Sequence, residues 1–274
     1  MGGAERNARK RRQQQTASRR TPASRAVAQA RGSGDRKKII AIVIGVVVLA
    51  AVVIGGVVWT NASKNATEGT AIGTAGITAP AAGVVETRNG VVVTTGKPSA
   101  KASIDIYADF LCPFCGQLQS NYGAQINQAI NAGQLKVNWH MVDLLNNNSD
   151  PAGYSLDSAN AALAAADAGK FTVFHDALFA HQPEEGKRGY DKGQLIQLGK
   201  DLGITDPKFA AAINGSTYNQ QIDDAFNQAA KNPALQTTSS QGTGFATPTV
   251  VANGKILNTT DATWLQQVIA GGAA

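Results

Sequence analysis

Hydrophobic and polar positions fall into three kinds of pattern along the chain. The first is an unbroken apolar run: residues 39–59 contain no charged side chain. As a helix this run would extend about 32 Å, enough to cross the hydrocarbon core of a bilayer. The second pattern is the alternation of a strand. It runs through Ser103-Ile104-Asp105-Ile106-Tyr107-Ala108, and a further strand is expected over 135–142. Val84-Val85-Glu86-Thr87 and Val91-Val92-Val93-Thr94 flank Asn89-Gly90 and read as a β-hairpin. Residues 249–252 and 255–257, separated by Asn253-Gly254, read as another. The third pattern is helical recurrence. After Pro113, Leu118, Tyr122, Ile126 and Ile130 return at every fourth position until Gly133 ends the helix. Between 144 and 243 the spacing predicts helices over 154–168, 171–180, 192–202, 207–213 and 219–230 and no strand. Asp150-Pro151, Asp191 and Asp206-Pro207 punctuate them. A last helix over 262–270 has Asp261 as its N-cap. Mixed strands and helices of this kind define an α/β chain.

Charge is unevenly placed. Residues 1–38 hold 12 of the 25 Lys and Arg but only 2 of the 19 Asp and Glu, which leaves the remainder with a net −4. The body is therefore no nucleic-acid binder by charge, and no nucleic-acid partner is expected. Residues 1–38, rich in Arg, Gln, Ser and Ala and without an apolar period, read as a disordered basic tail. Asp35-Arg36-Lys37-Lys38 borders the apolar run on one side and Trp59 suits the far interface. By the positive-inside rule the tail is cytoplasmic, 39–59 is a single-pass transmembrane helix in the cell membrane, and the rest is extracytoplasmic. The run is longer than the roughly 7–15 residues of a signal-peptide core. Residues 60–83, mostly Gly, Ala and Thr, read as a flexible tether.

The 2 cysteines of the chain both lie in Cys112-Pro113-Phe114-Cys115. Two thiols cannot complete a four-ligand zinc site, and a disulfide closing so small a loop is a poor staple. The pair reads as a redox dithiol. It straddles the strand-to-helix junction, with Cys112 at the cap and Pro113 at the favoured first helical position. Free N–H groups at a helix start favour a thiolate at Cys112. Cys112, nearer the cap and more exposed, is the expected nucleophile, and Cys115, one turn in, the resolving thiol. His140, His175 and His181 form no cluster with the cysteines and read as structural or surface residues.

A second motif, Gly244-Phe245-Ala246-Thr247-Pro248-Thr249, reads as a proline entering a strand. With Tyr107-Ala108-Asp109-Phe110-Leu111-Cys112-Pro113-Phe114-Cys115, it makes the chain resemble the thioredoxin superfamily. Within it the resemblance is to the membrane-anchored, DsbA-like thiol:disulfide oxidoreductases of bacteria. The resemblance runs from about residue 90 to the C-terminus. It implies a thioredoxin fold in two parts, 84–143 and 244–274, with 144–243 as an inserted all-helical domain. It also implies that Pro248 is cis and lies against the sulfurs, a geometry that costs an X-Pro bond only about 0.5–1 kcal/mol. Thr247 and Pro248 would then bind extended substrate by backbone pairing. Phe114 departs from the histidine of the best-known oxidising members and cannot stabilise a thiolate by charge. The acidic residue that many members carry six positions before the first cysteine is Ile106 here. Asp105 should face the other side of the strand. Asp109 is open to two readings, a loop or cap carboxylate and a catalytic acid.

The function expected is the introduction of disulfides into exported cysteine-containing proteins. The resemblance implies reoxidation by a quinone-linked membrane partner of the DsbB or vitamin K epoxide reductase type. The dithiol is itself the redox centre, so no separate cofactor is implied. The alternatives are a disulfide reductase or isomerase of the same fold, and a non-catalytic peptide-binding or chaperone module.

Overall fold

The computed structural model describes residues 60, 64–239 and 242–271. The basic tail and the apolar run 39–59 lie outside the described residues. Among the described residues no helix is long and apolar enough to cross a membrane. The unit Asn61–Ala274 is compact.

A six-stranded mixed sheet organises this unit. Its strands are β1 (Val85–Asn89), β2 (Val92–Gly96), β3 (Ala102–Ala108), β4 (Leu135–Met141), β7 (Thr249–Ala252) and β8 (Lys255–Ile256), in the order β1-β2-β4-β3-β7-β8. β3 and β4 are parallel and are joined by helix α1 (Pro113–Ala132). All other neighbours pair antiparallel. Alternation decides which face is buried. Val93, Trp139, Ile106 and Val250 form one row across four strands, each at most 5 % exposed. Asp105, Tyr107, Asn138 and His140 occupy the opposite face and are less buried. Burying one large apolar side chain fully stabilises a fold by about 1.5–3 kcal/mol.

The hairpin forms with a shifted turn. Asn89 pairs with Val92, so the turn residues are Gly90 and Val91 rather than Asn89 and Gly90. Gly90 supplies the positive φ of 62° that such a turn requires of its first residue.

The insertion is built from α2 (Tyr154–Asp167), α3 (Phe171–Ala180), α4 (Lys192–Asp201), α5 (Pro207–Asn214) and α6 (Asn219–Lys231). Each starts and ends within two residues of its expected bounds. Phe171, Val173, Phe174, Leu178 and Phe179 are all buried there. Strand β1 anchors the insertion to the sheet. Glu86 accepts from the Phe171 and Thr172 N–H groups at the start of α3, at 2.8 and 2.8 Å. Arg88 makes a two-pronged contact with Asp167 at 2.6 and 2.9 Å.

Two expectations are corrected. Residues 144–243 are not free of strands. β5 (Thr237–Ser239) pairs with β6 (Gly242–Gly244) in a small second sheet; strands of three residues are too short to show alternation. Nor is the stretch after residue 63 a free tether. Ile72 is 3 % exposed within the core. Gln194 donates to the Thr67 and Thr70 carbonyls at 2.6 and 2.7 Å. Thr67 Oγ1 donates to the Arg188 carbonyl at 2.9 Å, and Ala81 N–H donates to Asn131 at 2.8 Å. The composition of a linker hides a strap held by one buried isoleucine, the Thr67 hydroxyl and its own backbone.

The C-terminal helix α7 (Trp264–Ile269) packs against α1, with Tyr122 edge-on to Trp264 at 5.3 Å. It starts later than expected. Thr263 is its N-cap, and Asp261 instead accepts the Thr263 N–H at 2.8 Å in a preceding turn.

Candidate active site

β3 ends at Ala108 and α1 begins at Pro113, so the dithiol sits at the carboxyl edge of the central strand. Cys112 is the N-cap, with φ −70° and ψ 118°, and Pro113 follows as the first helical residue. No side chain caps this helix and no acidic residue stands in its first turn. Its free N–H groups are therefore available to a sulfur. β7 runs antiparallel to β3, with Thr249 opposite Tyr107. The residues just before β7 are thus brought level with those just after β3. The Thr247–Pro248 bond is cis, and the Thr247 carbonyl accepts from Cys112 Sγ at 3.3 Å.

Both cysteines are free thiols, and their environments pull them apart. The Cys112 thiol is held down to about 6, first by a hydrogen bond from Cys115, then by the side chain of Thr247 and the Cys115 and Phe114 N–H groups, against the effect of burial. Cys115 is pushed well above its ordinary value, first by burial and then by the neighbouring Cys112 sulfur. At neutral pH the pair is one thiolate and one thiol. Cys112 is slightly the more exposed, at 4 % against 2 % for Cys115, and both are buried. Hydrogen bonds lower Cys112, and burial raises Cys115. Phe114 is the exposed member of the motif, at 67 %.

Asp109 is fully buried. Its carboxylate accepts from Leu111 N–H at 2.7 Å, Leu145 N–H at 2.8 Å and Ser155 Oγ at 2.7 Å. Burial pushes it up to about 6, and the charge on Cys112 adds to the shift. It joins the redox loop, the segment after β4 and helix α2 in one knot. Ile106 is buried and apolar. Asp105 faces away as expected, accepting from Asn138 at 3.3 Å and lying 2.8 Å from His140 Nε2.

Ser155 and Gln182 escaped sequence reasoning. Gln182 Nε2 donates to the Phe110 and Cys112 carbonyls at 3.0 and 2.9 Å. Partners about 70 residues away leave no periodic or motif signal. His175 is buried among Trp139, Phe110, Phe171 and Phe179, with Nδ1 2.8 Å from Asp176. Among the described residues no group of His, Cys, Asp and Glu is arranged to hold a metal ion.

A protein-family model described as thioredoxin matches residues 88–270. Among solved structures, the chain is similar to oxidised DsbA of Mycobacterium tuberculosis, with 26 % identity and a TM-score of 0.53, over 69 % of this chain and 91 % of that one. It is also similar to the reduced disulfide bond oxidoreductase DsbG of that organism, with 27 % identity and a TM-score of 0.52, over 72 % and 90 %. Among curated proteins it is 26 % identical to the serine/threonine-protein kinase PknE of M. tuberculosis over 183 residues. That match takes in 65 % of this chain but only 31 % of the kinase, so the chain spans about a third of the length of the curated kinases it matches. With a β3–α1–β4 unit carrying Cys112 and Cys115, a cis-proline opposite them and a family match over most of its length, the chain belongs to the thioredoxin family as a DsbA-like member.

Proposed function

We propose that the protein is a membrane-anchored thiol–disulfide oxidoreductase that passes disulfides to exported cysteine-containing proteins outside the cytoplasm. The observation that carries this reading is the division of labour at the dithiol: Cys112 is held down to about 6 while Cys115 is pushed well above its ordinary value. A good leaving group at Cys112 makes the oxidised pair a ready disulfide donor.

The cycle starts from the Cys112–Cys115 disulfide. A substrate thiolate attacks Cys112 Sγ and the intramolecular S–S bond breaks. Cys115 leaves with the bonding pair and takes up a proton. The substrate's second thiolate then attacks its own sulfur in the mixed disulfide and releases Cys112 as a thiolate. Two electrons have moved from substrate to enzyme, and the substrate holds a new disulfide. In this reading the backbone at Thr247, next to Cys112, and the exposed ring of Phe114 would meet substrate backbone and side chains. Asp109, buried, raised to about 6 and affected by the Cys112 charge, serves in this reading as the proton store beside the pair. The dithiol needs no separate cofactor. The uncharged run 39–59 and its basic flank support the anchor, and a quinone-linked membrane protein of the DsbB or vitamin K epoxide reductase type would restore the disulfide.

The test is the redox equilibrium of the fragment from residue 61 onward in glutathione buffers of graded potential, with thiols counted by mass tagging. A midpoint above about −150 mV supports a disulfide donor, and one below about −250 mV supports a reductase. A thiol count that no buffer changes rejects redox chemistry altogether.

A further inference from the structure

We propose that Gln182 is a positioning residue of the redox centre: reaching out of the helical insertion, it holds the Phe110–Cys112 loop in the conformation from which Cys112 reacts. The inference rests on the redox reading of the dithiol and adds to it a residue from the other half of the fold.

Gln182 follows the C-cap of α3, and its carboxamide points back over the start of α1. Both of its amide hydrogens are used, one on the Phe110 carbonyl at 3.0 Å and one on the Cys112 carbonyl at 2.9 Å. The Cys112 carbonyl also accepts from Cys115 N–H at 3.0 Å and Gly116 N–H at 3.1 Å. Three donors on one oxygen fix the peptide plane that follows Cys112. That plane sets where the sulfur lies relative to Thr247, 3.3 Å away, and to the N–H groups of the first turn. Proline at 113 brings no N–H of its own, so the loop depends on the donors that surround it.

Gly116 shows that the carboxamide's place is reserved. A Cβ on Gly116 would lie 2.1 Å from Gln182 Oε1 and 3.0 Å from its Cδ. Glycine inside a helix is otherwise unfavourable. Here its missing side chain is the space in which Gln182 lies. The insertion and the redox loop also meet at Phe179 and Phe110, with ring centroids 4.9 Å apart. That contact seats the two parts against each other, whereas Gln182 bonds the residue that carries the reactive sulfur.

The experiment uses the full chain, reduced, with iodoacetamide as the probe and mass spectrometry reading carbamidomethylation of Cys112 from pH 4 to 10. Gln182→Ala should move the pH midpoint of Cys112 upward by about one unit. That is about tenfold less thiolate at any pH below both midpoints. Gly116→Ala, which drives the carboxamide away from the loop, should produce the same shift while Gln182 is retained. The double variant should move no further than the larger single one, because both act through one contact. Gln182→Met keeps about the same volume but removes the donors without adding a charge, and should behave as Gln182→Ala does; it also covers the case in which the alanine variant fails to fold. A Cys112 midpoint unchanged in Gln182→Ala or Gln182→Met overturns the proposal, even if thermal stability falls, since a merely structural residue would lower stability and leave the titration alone. Additive shifts in the double variant overturn it too. If the wild-type chain itself never changes its thiol count in redox buffers, the redox reading fails and takes this role of Gln182 with it. A redox-active wild type with an unmoved variant sinks only the claim about Gln182.

Discussion

With the Cys112 thiol held at about 6 instead of its ordinary 9.0, the reduced dithiol gains stability as a thiolate. The gain is present in full above the ordinary value and is lost as pH falls through about 6. It favours the reduced state, so it raises the reduction potential. Reduction should therefore take up two protons below about pH 6 and one above it. The midpoint potential should fall by about 59 mV per pH unit in the first range and by about 30 mV in the second. A break near pH 9 instead would mean that Cys112 is an ordinary thiol. Asp109 has the opposite sign. Its folded-state value is raised to about 6 from an ordinary 3.8, so burying it costs stability that is absent at low pH and fully felt above about 6. Such a shift corresponds to about 3 kcal/mol. Asp109→Asn removes the charge but turns one amide N–H group toward the Leu145 N–H. Relative to the variant, the wild type should thus lose about 3 kcal/mol between pH 4 and 7 in urea unfolding. A constant difference across that range would show that the carboxyl is not the titrating group.

Among the elements, α1 has the clearest dependence on a single backbone conformation. Gly133 stops it with φ 76°, and its N–H returns to the Ile130 carbonyl at 2.9 Å. Gly133→Ala forces a side chain into the left-handed region and brings a Cβ to 2.9 Å from Lys97 Cδ. The expected loss is about 1–2 kcal/mol in urea unfolding, with the Cys112 titration unchanged. This helix, strand β3 and the insertion helices were legible in the sequence because each repeats its period several times over. Elements of two or three residues do not. Thr237–Ser239 and Gly242–Gly244 carry too few side chains to alternate, and the hairpin turn moved by one residue because Asn89 was drawn into the ladder. The site divides in the same way. Cys112, Pro113, Phe114, Cys115, Thr247 and Pro248 lie in two contiguous motifs that can be read locally. Asp109 could be seen, but its role could not be decided, because Leu145 and Ser155, which hold it, come from elements 36 and 46 residues away. Gln182 had no sequence signature at all, since its partners are main-chain carbonyls that any residue would offer.

At the scale of the whole molecule, the insertion, the sheet and the strap over 64–83 contribute to one core cluster. The strap is the part that composition hides. Ile72→Ala leaves a hole in the core that Ile72 shares, and should cost about 2–4 kcal/mol. Hydrogen exchange would locate the loss: the amides of the strap and those around Arg188 and Gln194, which hold it, should lose protection first. Exchange in the strap as fast as in an unfolded peptide, already in the wild type, would restore the tether. Inside the insertion, α2 is buried on every side. Residues Ser158 to Ala166 are all inaccessible, and α3, α4, α5, α6 and β1 close around them. Alanine on a surface helix accepts almost any replacement, yet here each added methyl group has to displace a neighbouring helix, at about 1–3 kcal/mol apiece. In a selection from random variants, this plain alanine stretch would retain fewer alternatives than the loops that surround the chemistry.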